Sequence, residues 1–164
     1  MVMNWLFGRQ PDAADPRQPP TVDPDGPTEL AAEMFRLNRF INASAGQLPT
    51  ASVVAARRIT DTVAAVLHTT RDRDLDIHAR VSLNGILRDY LPTTLRTFLA
   101  LDPATRDRAR AAGPSPTVAL EEQLDFLSGS ASEVLTAVRN DDANALAAQG
   151  SFLRTKFGHS ELDL

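Results

Sequence analysis

The chain has 164 residues, of which 43% are hydrophobic and 23% charged, with 11 prolines and no cysteine; that is the size of one globular domain with one core. The missing cysteine excludes a disulfide framework, a thiolate zinc site, an iron–sulfur cluster and a cysteine nucleophile. A formal net charge of -4 argues against broad binding to phosphate backbones, which depends on clustered Lys and Arg; it leaves room for a local basic patch, and no nucleic-acid partner is expected.

Met1 to Arg9 lacks the charged start, long apolar region and small-residue cleavage site of a secretory signal. No run reaches the ~18 apolar residues of a membrane span, so a cytoplasmic location is expected, with membrane association at most peripheral. Sixteen of the 17 basic residues are Arg, Lys156 being the exception, a bias read as that of a GC-rich bacterial genome. Trp5, Leu6 and Phe7 form the most hydrophobic tripeptide and include the one Trp. They are candidates for binding a protein partner or for docking on the protein's own helices. Without a flanking polybasic run, such a cluster binds lipid only weakly. Residues 10 to 27 carry six prolines among Asp, Gln and Gly. That composition removes amide donors and gives little to bury, which predicts a disordered Pro-rich N-terminal arm over residues 1–27.

From Thr28 the period changes to 3.6. Leu30, Met34, Leu37 and Ile41 share a stripe and predict a helix over 28–45 closed by Gly46 as C′ residue, with Pro49 opening the next element. Val53, Ala56, Ile59 or Thr60, Val63 and Val66 or Leu67 predict a second helix over 50–71. A third is expected from an Asp74 cap, with Ile77, Val81, Leu87 and Leu91 on one stripe and Leu83, Ile86 and Tyr90 on another. Pro92 predicts a kink or stop, followed at once by a helix bearing Leu95, Phe98, Leu99 and Leu101. Residues 102–116 read as a charged surface connection.

Ser115 and Pro116 then cap and open the most regular helix. Leu120, Leu124, Leu127, Ala131, Val134 or Leu135 and Val138 recur in steps of four and three, a stripe that also suits contact between copies and so a homo-oligomer. Gly129 within it reads as a close helix crossing or a slight weakness. Asp141 or Asp142 starts a last helix with Leu146, Leu153 and Phe157, ended by Gly158, before a frayed 159–164. The fold expected is all-α, an antiparallel bundle of four to five helices over 28–158.

Chemistry-bearing patterns are weak. Arg71 to Leu83 alternates carboxylates like a calcium loop, but the turn glycine is replaced by Ile77 and the bidentate Glu by Leu83. His68, His78 and His159 lack metal-site spacing, although His68 and His78 approach across one turn. No Gly-x-Ser-x-Gly elbow or phosphate loop is present. No catalytic residue, metal ligand or cofactor site is therefore assigned, and the chain reads as a non-enzymatic interaction or scaffold protein, the alternatives being a phosphoester hydrolase and a bundle that binds a small apolar ligand near Tyr90, Phe98 and Phe126.

The run Leu83 to Leu99, centred on Tyr90, Leu91, Pro92, Thr94 and Leu95, resembles the signature of the XpaC-like family, named for 5-bromo-4-chloroindolyl phosphate hydrolysis. The resemblance implies phosphoester hydrolysis and association with toxic-anion (tellurite) resistance proteins, and so a role in bacterial envelope or toxic-anion stress with such a protein as partner. Members are often attached to the membrane through N-terminal spans, from which this chain departs. Physically the five residues read as a hinge motif, with Pro92 redirecting the chain and Tyr90 and Leu95 packing across the bend.

Overall fold

The structure, a computed structural model, describes residues 23, 25–72, 74–109, 113–140 and 143–158. The regular elements of these residues are helical, and they form the expected all-α bundle. Most of the arm, with Trp5, Leu6 and Phe7, lies outside the described residues, as do Asp141, Asp142 and the segment 159–164 with His159. The helices are α1 (Pro27–Ser44), α2 (Thr50–Thr69), α3 (Ile77–Asn84), α4 (Leu91–Leu99), α5 (Pro116–Asn140) and α6 (Ala143–Gly158). A π-helical turn, Gly85–Tyr90, joins α3 to α4 without a break.

The core is aliphatic and centred on α5. Leu120, Leu124, Leu127, Ala131, Val134 and Val138 are all buried, and α5 packs most extensively on α2, with α4 and α6 on its other sides. The stripe read as a surface between copies is therefore consumed inside the bundle. Its repeat matches a helix enclosed by neighbours as well as one in a seam between chains, so periodicity alone does not separate the two. α2 answers with Ala56, Ile59, Val63 and Val66, and α1 closes over α2 with Leu30, Leu37 and Ile41.

Several boundaries differ from the sequence expectations, each for a local reason. Gly46 is not a left-handed cap; α1 tightens into a 3-10 turn over Ala45–Gln47. The cap of α3 is Asp76 and not Asp74, because the Asp76 carboxylate accepts from the backbone N–H groups of His78 (2.8 Å) and Ala79 (3.4 Å), satisfying two amides that have no partner within the helix. With that start Ile77 and Val81 face outward, 59% and 42% exposed, while Ala79, Ser82 and Leu83 face in. Gly129 is exposed, and a Cβ there would meet nothing within 4 Å, so no helix crosses close to it. Ser115 does cap α5, its hydroxyl accepting from Val118 N–H at 3.3 Å.

Pro92 does not stop its helix. The N–H of Leu91 donates to the carbonyl of Ile86, five residues back. Proline in a regular helix lacks a donor and its ring collides with the carbonyl four residues earlier. Widening the preceding turn to a five-residue step relieves that collision, and Leu91, Pro92, Thr94 and Leu95 are all buried in the continuing helix.

The charged connection after α4 is more than a surface loop. Arg106 Nη1 donates to Gln47 O (2.8 Å) and Nη2 to Leu99 O and Leu101 O (both 3.0 Å), while Nε donates to Leu101 O (3.2 Å). The guanidinium also lies over the Phe98 ring, 4.9 Å from its centroid, and Arg106 O accepts from Thr117 N–H at 3.0 Å. One cation thus satisfies carbonyls at the end of α4, ties them to the α1–α2 turn and anchors the start of α5.

Candidate functional site

The feature most suited to binding lies between α5 and α6. On the side away from α2, α5 presents Ser132, Glu133, Thr136, Ala137 and Asn140, and α6 faces them with Ala148, Gln149 and Phe152. Together they line a groove of about 540 Å³, within the range of pockets that take small ligands or short chain segments. Its lining is mainly apolar. The hydroxyls of Ser132 and Thr136 donate back to Ser128 O and Ser132 O, both at 2.9 Å. Phe152 is 50% exposed, a large apolar surface left in water.

Gln149 is the chemical anomaly of this groove. The residue is 7% exposed, yet its side-chain Nε2 has no hydrogen-bond partner among the described residues. A buried amide without partners is destabilising by about 1–3 kcal/mol. On the α3 side of the same helix, Ser82 Oγ is also buried without a partner among the described residues, 3.4 Å from where a Cβ on Gly150 would sit. Gly150 therefore lets α6 approach α3 closely, and the neighbouring Gln149 is turned toward α5.

Aromatic rings close one end of the groove. Phe126 of α5 lies 5.3 Å from Phe152 and 5.5 Å from Phe157, and Phe157 stacks on Tyr90 at 4.6 Å. The ammonium of Lys156 sits 4.4 Å from the Phe126 centroid, a cation–π contact. Tyr90 reaches this cluster because the π turn places its ring over Gly85: a Cβ there would come within 2.7 Å of Tyr90 Cε2. Burial pushes the Tyr90 phenol above its ordinary value, the Asp89 charge adds to that, and Arg154 opposes it.

The sequence-predicted residues fall into two sets. Within the Tyr90, Leu91, Pro92, Thr94 and Leu95 motif, Tyr90 joins the aromatic cluster while the other four are core. Of the three aromatics named for an apolar ligand, Tyr90 and Phe126 meet through Phe157, whereas Phe98 lies under Arg106. His68 and His78 are exposed, and among the described residues no group of three or more His, Cys, Asp or Glu side chains is placed to hold a metal ion. Among the same residues no helix is long and apolar enough to cross a membrane. Sequence reasoning missed the groove: Ala137, Ala148 and Gln149 carry no individual signal, and only Phe152, lying off the Leu146 and Leu153 stripe, marks α6 as having a second apolar direction.

Just before α1 the chain is held on α3 and the π turn, Asp23 by Arg80 at 2.8 Å and Asp25 beside Arg88 at 3.6 Å. These contacts hold the residues just before α1 against the bundle. Compared with protein-family models, curated proteins and solved structures, the chain finds no match.

Proposed function

We propose that the protein is a non-enzymatic helical interaction module, and that the α5–α6 groove takes an apolar segment of a protein chain. The observation that carries this reading is the half-exposed Phe152 on a mainly apolar groove of about 540 Å³ between α5 and α6. An extended apolar chain supplies what Phe152 lacks, side chains to cover its ring. The resemblance around Tyr90 to Leu95 nominates a toxic-anion resistance protein as the first partner to test, in bacterial envelope or toxic-anion stress.

The test compares the full chain with its Ala148→Arg variant as bait for such a partner. Ala148 is exposed on the groove wall, so an arginine there fills the groove without entering the core. The reading expects the partner to be retained by the native chain and lost from the variant, and equal retention by both removes it. Hydrolysis of a chromogenic phosphomonoester with magnesium, manganese or zinc, lost on changing His68 or His78, would instead favour the hydrolase.

A further inference from the structure

We infer that the segment taken up between α5 and α6 is cationic as well as apolar: its large side chains cover Phe152, and Lys or Arg residues beside them pair with a row of carboxylates on the outer side of α5. The inference rests on the reading of the groove as a peptide-binding surface and states the charge of its ligand.

Of the eight residues that line the groove, Glu133 alone is charged. It is exposed, and it has no ion pair among the described residues. Steps of three and four place Glu122, Asp125, Gly129, Glu133 and Thr136 on one side of a helix, and all five are exposed on α5. From Glu122 to Glu133 the row runs about 16 Å by helical rise. Three carboxylates thus stand in line along one lip of an apolar groove, and the row contains no cation. Charge of one sign beside an apolar surface favours a ligand of the opposite sign and disfavours one of the same sign.

The cations nearby do not cancel the row. Arg139 and Arg154 do not line the groove: they lie about 100° round α5 from Asn140 and about 200° round α6 from Phe152, by helical rotation. Lys156 is at this edge, its ammonium 4.4 Å from the Phe126 centroid. Phe126 follows Asp125 directly and stands one turn beyond Glu122. An ammonium is therefore already held where an aromatic face adjoins the carboxylates of α5, which shows the kind of group this edge accepts. One ammonium leaves the row negative, with Glu133 two turns further on and on the groove wall itself.

The test uses the full chain and a pair of short fluorescein-labelled peptides, one of Leu, Phe and Lys and one with Glu in place of each Lys. Fluorescence anisotropy should show the Lys peptide bound more tightly than the Glu peptide by at least about tenfold, with the ratio narrowing as salt is raised. Glu133→Lys, at an exposed position, should cut that ratio several-fold while circular dichroism stays helical, and Glu133→Gln should cut it less. Asp61→Lys makes the same change in net charge at an exposed position of α2, which packs on the other side of α5, and should leave the ratio as it is. An equal fall with Asp61→Lys assigns the preference to net charge and overturns the inference. Equal affinity for the two peptides, or a preference unaltered by Glu133→Lys, also overturns it. So does dimerisation of the chain that Ala148→Arg abolishes, in favour of a second copy in the groove. Ala148→Arg separates this inference from the reading beneath it. Peptides bound alike by the native chain and both lost from that variant remove only the charge preference, whereas peptides that bind neither chain, or both chains alike, remove the groove reading as well.

Discussion

The two sides of α5 differ sharply. Toward α2 the helix meets Ala56, Ile59, Val63 and Val66 with a continuous set of buried aliphatic residues. Toward α6 the same helix leaves a groove of about 540 Å³, a half-exposed phenylalanine and a buried amide without a partner among the described residues. Close packing of apolar groups makes the first seam stable and chemically silent. The second is looser and holds the unsatisfied chemistry, which is the usual division between a scaffold and the surface it presents.

Substitutions can break each seam in turn. The largest effect is expected at Leu127, fully buried in the bundle core: Leu127→Ala should lower unfolding free energy in urea by about 3–5 kcal/mol, and a loss below about 1 kcal/mol would mean that the core collapses around the gap. At the aromatic end of the groove, Gly85→Ala drives a methyl against Tyr90 and should destabilise by about 1–3 kcal/mol. Most of that loss should vanish in a Tyr90→Ala background, because the clash needs both partners; additive effects would place the strain elsewhere. Within the groove the sign reverses. Gln149→Met keeps the volume and removes the unpartnered amide, so stability should rise by about 1 kcal/mol, whereas a fall would show that the amide is satisfied in solution. The smallest effect concerns pH. Tyr90 is the one tyrosine, and its phenol is raised above 10.0 chiefly by burial. Folding therefore gains from its proton below about pH 10 and loses that gain as pH rises through the raised value. Tyr90→Phe should flatten the alkaline loss, and an unchanged slope would assign it to another group.

The bundle was legible because its signal is repetitive: Leu120, Leu124 and Leu127 state a buried face several times over, and Pro116 and Ser115 mark its start. Single residues with long-range partners were not. Arg106 sits in a run of charged residues that reads as a surface connection, and only the fold brings Gln47, Leu99 and Leu101 around it. Asp76 displaced Asp74 as cap because both are plausible acceptors and the choice depends on where the buried Leu75 must lie. The groove was illegible for a different reason. It is made of what two helices omit, small side chains at Ala137 and Ala148, and an omission has no periodicity of its own.

The π turn before Pro92 also settles which neighbours its helix can serve. A widened turn accommodates one residue more than a regular turn, and one residue corresponds to about 100° of rotation around the axis. The segment before it, α3, packs on α6, and the segment after it, α4, packs on α5. An unmodified helix would carry one apolar stripe along its whole length and lie against one partner. The surplus residue changes its phase midway, so a single uninterrupted rod supports α6 with its first half and α5 with its second. The two helices that wall the groove are thereby both packed against one continuous helix.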